Sequence, residues 1–320
     1  DRSSSDPFLR GVLMAASAPA IHSQPATERL RRALRRAQPS AYLFLLPALV
    51  FYVAFRLVPY LQTFWYGLTD WNGVSQPNFI GLSNYAEALR DPYFWRAFRQ
   101  TLAFMAIDIT IPLVVALLLA VLVSEVMRGR TFYRVALFTP YVLSAAVVAV
   151  MWKQIYAPNI GVVNTTLRAV GLGQFAHAWL GDSQYALPAV AIANAWHIYG
   201  FAFVVFLAAI QGIDPALYEA AKLDGANWGQ LVRHVTIPGL RHAITLLVSL
   251  AIAGALATFT FIYIMTGGGP NFATEVLSTY IYDKGFLEAR YGYASALSVA
   301  LALIALVVSA TFIWLRERGE

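Results

Sequence analysis

The 320-residue sequence has no cysteine, and Asp, Glu, Lys and Arg make up only 12% of it, against 59% hydrophobic residues. Without cysteine there are no disulfides and no thiolate metal sites, although this leaves the compartment open. So little charge on a water-soluble chain of this length would expose large apolar patches, so lipid is the natural solvent. Several catalytic signatures are missing too. No GxxxxGK[ST] phosphate loop occurs, so any ATP this protein uses must be bound by another chain. No HExxH or GxSxG motif occurs, and the histidines His22, His177, His197, His234 and His242 are scattered. These absences argue against an enzyme and against a resident metal or cofactor.

Long apolar runs are abundant. A bilayer core of about 30 Å needs about 20 mostly apolar helical residues. Six stretches qualify: roughly 42–66, 101–123, 134–157, 186–211, 242–265 and 292–315. Their connections are short and carry no β alternation, which excludes a barrel. The fold class is all-α, a polytopic membrane protein of about six transmembrane helices. A basic segment (1–41) precedes the 42–315 membrane domain, and a short tail (316–320) follows it. The first apolar run is too long for a signal peptide and lacks a cleavage site. The sequence begins at Asp1, and Met14 is a candidate start.

Arginine and lysine set the orientation. Residues 1–41, the loops 124–134 and 212–241, and the tail hold 15 basic residues, whereas the opposite loops hold six. Positive charge stays inside, so both termini are expected in the cytoplasm and the chain in the cytoplasmic (inner) membrane. The net charge of +6 therefore calls for no nucleic acid. The Arg29–Arg36 run suits anionic lipid.

Two outer features are ordered by their residues. Segment 79–98 predicts a short helix, a break at Asp91-Pro92, then an aromatic approach to the second span. Tyr93, Phe94 and Trp95 suit the water–lipid boundary. Thr266-Gly-Gly-Gly-Pro270 cannot continue a helix and forces a sharp turn on leaving span five. Inside the spans, helical rise places Arg56 about 22 Å from the inner end of span one and Asp108 about 13 Å below the outer end of span two. Across a core of about 30 Å the two depths nearly coincide, so an intramembrane ion pair is expected as one reading. Outward snorkelling of Arg56, and Asp108 facing the pathway, is the other.

The inner loop 212–241 is polar, helix-prone and flanked by apolar runs. Asp214 can cap a helix whose first residue is Pro215. Gly225 offers a left-handed stop or a close backbone approach. Trp228–His234 predicts a second short helix ending before Pro238. Such a knuckle presents Leu217, Tyr218 and Leu223 among polar neighbours. It reads either as a docking surface or as a surface connector.

Glu219-Ala220-Ala221, then Gly225, Val235, Ile237 and Pro238, resemble the EAA loop of permease subunits in bacterial ATP-binding-cassette importers; the two aliphatic departures are conservative. "Gly81-Leu-Ser-Asn-Tyr", "Tyr218-Glu-Ala-Ala-Lys-Leu-Asp-Gly-Ala", "Thr266-Gly-Gly-Gly-Pro" and "Tyr291-Gly-Tyr-Ala-Ser-Ala" extend the resemblance over roughly residues 41–315. Together they look like the carbohydrate-uptake subfamily, specifically the first of two maltose-type permeases. The resemblance implies a type I importer fold. The implied partners are a second permease, two ATPases that hold ATP and magnesium, and an extracytoplasmic solute-binding protein. Tyr218, Glu219, Ala220, Ala221, Asp224, Gly225 and Pro238 would form the coupling helix against an ATPase.

The same resemblance, counted back from Glu219, places Asn194 on a sugar-binding asparagine of the maltose permease, with Ile198 and Phe201 at further matching positions. Asn194, Ile198 and Phe201 share one helical face and His197 adjoins it. In span five the matching positions hold Ala251, Gly254 and Ala255, so a maltose-like site is not preserved. These small residues permit tight packing or room for a bulkier solute. Asn194 reads equally as an interhelical hydrogen bond, and His197 as a packing residue. Trp196, Tyr199 and Phe201 are candidate sugar platforms or ordinary filler. The expected function is ATP-driven import of an oligosaccharide or a sugar derivative such as a glycerol phosphoester. The alternative is an ion- or proton-coupled secondary transporter. Asp108 is the one carboxylate well within a span and no internal repeat is present, which tells against it.

Overall fold

A computed structural model describes residues 39–125 and 129–318. The basic segment before Pro39, and Arg128, lie outside the described residues. The chain divides into two units, Asp1–Tyr60 and Leu61–Glu320.

Helix α1 (Pro39–Tyr52) passes through a π turn at Val53–Leu57 into α2 (Val58–Tyr66), within which the boundary between the units falls. The wide turn stands just before Pro59. It relieves the strain a proline ring would otherwise cause against the carbonyl four residues back. Leu43, Phe44, Phe51 and Phe55 are all exposed, so the helix is apolar all round, as lipid contact requires.

The second unit contains α3 (Ser83–Arg90), α4 (Pro92–Glu125), α5 (Arg130–Val142), α6 (Ala145–Ile155), α7 (Val162–Ala169) and α8 (Ala186–Gln211). It continues with α9 (Pro215–Leu223), α10 (Trp228–Leu231), α11 (Ile237–Gly239), α12 (Arg241–Leu256), α13 (Thr260–Met265), α14 (Leu277–Tyr282) and α15 (Tyr291–Glu317). The regular structure is helical, apart from one isolated bridge between Thr69 and Phe79. Among the described residues four helices are long and apolar enough to cross a membrane, or up to six if each of two bent pairs is one span.

The expected break at Asp91-Pro92 is present. Asp91 Oδ1 accepts the Tyr93 amide at 2.9 Å, and Pro92 sits at the first helical position, where its missing donor costs nothing. The resulting α4 runs 34 residues, well beyond the apolar core of span two. It packs against α8: Ala116, Ala120 and Val123 meet Ala202, Phe203, Phe206 and Leu207, with Leu247 of α12 joining them. Small residues let these helices approach where lipid gives no hydrophobic drive. A side chain at Gly200 would stand 2.8 Å from the Leu137 carbonyl, so α8 also touches α5 backbone to backbone.

Span three differs from its expectation. Residues 134–157 are not one rod: Thr131–Val142 and Ala145–Ile155 meet at 93°. Pro140 removes a donor just before the bend, and Leu143 and Ser144 are both extended. Span five also departs, because α12 stops at Leu256 and α13 resumes at Thr260.

Polar contacts tie each end. At one end the Trp228 indole donates to Glu125 Oε1 at 2.6 Å and Arg316 Nε donates to Thr245 Oγ1 at 3.1 Å. These are the segments expected inside. At the other end Asn84 donates to the carbonyls of Gly67 and Thr69, at 3.0 and 2.8 Å. There Arg290 Nη2 reaches both Glu87 oxygens at 2.7 Å, and Tyr280 and Tyr293 donate to Asp91 Oδ2. The glycine run turns sharply, as expected, with Gly267 and Gly268 at φ 60° and 86°. Sequence reading did not foresee α7 or α14 in the outer connections.

Gly292 packs where a Cβ would lie 2.1 Å from the Thr69 carbonyl, whereas nothing lies within 4 Å of one on Gly254. Gly292→Ala should therefore lower the unfolding temperature of the detergent-purified protein by roughly 5 °C, from an overpacking cost of about 1–3 kcal/mol. Gly254→Ala should leave it within about 1 °C or raise it slightly.

Glu275 is 5% exposed in the outer loop. Burial first, then the neighbouring Asp283 and Asp91, push its carboxyl up from the usual 4.5 to about 7, against Lys284 and Arg96. The folded state then holds a proton that the unfolded chain releases between these values. Stability should accordingly fall as pH rises from about 4.5 through about 7. Thermal melts across that window should show the slope in the parent protein and a flatter one in Glu275→Gln.

Candidate functional site: a transmembrane cavity and an inner knuckle

The second unit encloses a cavity of about 570 Å³ walled by α4, α5, α8, α12 and the α12–α13 break. From α8 come Asn194, His197, Ile198 and Phe201, and from α12 Ala251 and Gly254, all singled out in the sequence. Ala255 is the exception. It is 0% exposed, packed one position round the helix from Gly254, and is not part of the wall. Trp196 also turns away, its ring 5.8 Å from that of Trp152.

Asp108 joins the wall from α4, only 3% exposed. The Asn194 amide donates to its Oδ1 at 2.6 Å. Asn194 thus makes an interhelical hydrogen bond and also stands in the cavity wall. Arg56, its expected ion-pair partner, belongs to the first unit, where its guanidinium stands over the Tyr60 ring. His197 Nε2 lies 3.0 Å from the Leu143 carbonyl, at the α5–α6 bend. A carbonyl only accepts, so Nε2 donates in this contact.

Tyr141, Thr258, Phe259, Thr260 and Phe261 line the cavity without having been singled out. Tyr141 stacks on Phe201 with ring centroids 5.3 Å apart. Thr258 sits in the break, and its carbonyl accepts from Ser278 Oγ. Ala257-Thr258-Phe259 contains no proline or glycine, so nothing local marks the break. Unwound backbone at membrane depth is tolerated only where protein or a cavity satisfies it.

At the inner end the knuckle forms largely as its residues dictate. Asp214 accepts the Ala216 amide at 2.9 Å and Pro215 opens α9. Gly225, at φ 81°, ends it. The Gly225 and Ala226 amides donate to the carbonyls of Lys222 and Ala221, the paired bonds of a left-handed helix stop. Nothing lies within 4 Å of a Cβ on Gly225, so within this chain it serves conformation and not close approach. Asn227 and Gln230 exchange side-chain and backbone bonds to cap α10, a signal readable in the sequence but missed.

Two expectations for the knuckle are corrected. The second helix does not end before Pro238: a π turn at Val232–Thr236 carries it on through Ile237–Gly239. That turn precedes the proline at the same offset as the one before Pro59. Tyr218 does not face outward. It is half-buried, its hydroxyl 3.0 Å from Thr236 Oγ1, bracing α9 against the second helix. Leu217, Glu219, Ala220, Leu223 and Asp224 are exposed, with Ala221 half-buried behind them. Glu219, Tyr218, Trp228 and Thr236 border a groove of about 800 Å³. Among the described residues no cluster of His, Cys, Asp or Glu could hold a metal ion.

A cavity among apolar helices, with an ordered polar knuckle at one end of them, fits a membrane permease. The comparisons make the class specific. The family described as "Binding-protein-dependent transport system inner membrane component" matches residues 95–318, and the chain belongs to it. It is 37% identical over 271 residues to the probable ABC transporter permease protein YurN of Bacillus subtilis, covering 84% of this chain and 92% of that one. It is 37% identical over 280 residues to the diacetylchitobiose uptake system permease protein NgcF of Streptomyces coelicolor, covering 83% and 79%. A chain in the crystal structure of a bacterial ABC transporter that imports the acidic polysaccharide alginate matches with a TM-score of 0.78. That match is 28% identical and covers 91% of this chain and 99% of that chain. The protein is thus a multi-pass inner-membrane permease of a binding-protein-dependent ABC transporter, a transport component and not an enzyme. The secondary-transporter alternative is set aside.

The Trp228–Glu125 bond couples the knuckle to α4. Glu125→Ala should expose the amides of 228–236, raising their hydrogen–deuterium exchange at least roughly ten-fold, since a bond to a charged acceptor contributes about 1.5–3 kcal/mol. Glu125→Gln keeps an acceptor and should stay near the parent rate.

Proposed function

We propose that this chain is one of two paired permeases of an ATP-driven sugar importer, and that its 214–238 knuckle is the coupling element seated on an ATPase subunit. Two ATPases, a second homologous permease and an extracytoplasmic solute-binding protein complete the assembly, with both termini of this chain in the cytoplasm. The observation that carries the reading is continuity. Helix α8 carries Asn194, His197, Ile198 and Phe201 in the cavity wall and runs to Gln211, three residues before the Asp214 cap. Displacement of the knuckle is thereby delivered to the cavity by a single helix.

Carbohydrate as cargo is supported by the uptake system named for NgcF and by the alginate importer. The cavity agrees in kind. The Tyr141–Phe201 stack offers an apolar platform, and Asp108, Asn194 and the Thr258 region offer directional polar atoms. Exposed Leu217 and Leu223 on α9 give an ATPase groove something to bury, and Glu219 gives it a charge to grip.

The experiment is uptake of radiolabelled N,N′-diacetylchitobiose into proteoliposomes holding the whole importer and its binding protein. Glu219→Lys and Gly225→Val should each lower uptake at least roughly ten-fold while the permease still inserts and co-purifies with its partner permease. The valine at φ 81° also costs about 1–2 kcal/mol of local strain. Unaltered uptake by both variants would remove the coupling assignment.

A further inference from the structure

We infer that Asp108 makes this cavity a filter for cargo charge: it passes neutral or amino-bearing sugars and turns away acidic ones. The inference rests on the sugar reading above and deepens it. Its basis is the balance of donors and acceptors on the wall. No lysine or arginine contributes to the cavity, while a carboxylate does, more than nine-tenths buried. The Asn194 amide spends a donor on Asp108 Oδ1, leaving Asp108 Oδ2 and Asn194 Oδ1 as acceptors. His197 directs its Nε2–H at the Leu143 carbonyl and away from the cavity's carboxylate. The fixed polar atoms thus ask for donors.

Hydroxyls and ammonium groups supply donors; the ionised group of a uronate or phosphate adds only acceptors and a like charge. In a wall of low dielectric, two like charges at close range repel far more strongly than in water. No cation among the described wall residues offers an anion compensation for its lost hydration. The glycerol-phosphoester class is therefore disfavoured here, and the acidic cargo of the alginate importer is not expected to transfer to this chain.

The test uses the complete importer in nanodiscs with the binding protein left out, so that only the membrane path selects. Equilibrium dialysis measures three radiolabelled disaccharides: N,N′-diacetylchitobiose (neutral), its deacetylated diamine (cationic) and a β-1,4-linked diglucuronate (anionic). The parent protein should hold the diamine at least ten-fold more tightly than the diglucuronate, with the neutral sugar between. Asp108→Asn should cut that ratio about ten-fold. Should Asp108→Asn fail to fold, Ala251→Lys keeps the Asp108–Asn194 bond and adds the missing cation; it should raise diglucuronate binding about ten-fold. Equal binding of the neutral and anionic sugars by the parent, an unchanged ratio in Asp108→Asn, or no gain in Ala251→Lys would each overturn the filter. Binding of none of the three sugars would instead overturn the carbohydrate reading itself, and the filter with it.

Discussion

Backbone amides and carbonyls that leave a helix inside lipid must find a partner, and the second unit is organised around that requirement. Its spans are interrupted at Leu143–Ser144 and again at Ala257–Phe259. Each interruption is answered by a side chain from elsewhere in the unit: His197 serves the Leu143 carbonyl and Ser278 the Thr258 carbonyl. Both interruptions border the same cavity, where Tyr141 and Ala145 flank the first and Thr258 belongs to the second. The irregular backbone therefore lies where polar atoms are useful and lipid is absent. A pathway made of uninterrupted rods would have no such atoms to offer a passing solute.

The same helices link this middle zone to the inner end. Helix α4 carries Asp108 at the cavity and Glu125 at its inner terminus, where it accepts from Trp228. Helix α8 carries Asn194 and then leads into the Asp214 cap. The Asp108–Asn194 bond ties the two together beside the cavity, and the Trp228–Glu125 bond ties α4 to the knuckle at the base. The Tyr218–Thr236 contact, which draws a tyrosine inward from the position the sequence suggested, stiffens the knuckle itself.

Local chemistry explains which parts were legible beforehand. Asp214-Pro215, Gly225, Asp91-Pro92 and the 266–270 glycine run each impose a backbone state through their own covalent geometry, and all four behave as read. The shared face of Asn194, Ile198 and Phe201 follows from helical period, and it does line the cavity. What was illegible depends on tertiary partners. The break at Ala257–Phe259 has no breaker residue in it and exists because Ser278 and the cavity tolerate it. The contribution of Tyr141 follows from the 93° bend, which no apolar count detects. Pro238 misled for a different reason. A proline does end an ordinary helix, but a π turn placed ahead of it removes the steric objection, and both units use that device before a proline.

Asp108 illustrates why an intramembrane charge has to be read through its neighbours. Depth alone left two readings open, an ion pair with Arg56 or a carboxylate facing the pathway. Its observed bond is to an amide, which holds the carboxylate's geometry without cancelling its charge. An ion pair would present passing solute with a near-neutral dipole; a carboxylate held by an amide keeps a field that acts across the cavity. Burying such a charge is costly, so its place beside the solute path, with one oxygen held and the other available, is hard to account for by packing alone. The simplest physical account is selection among cargoes by charge.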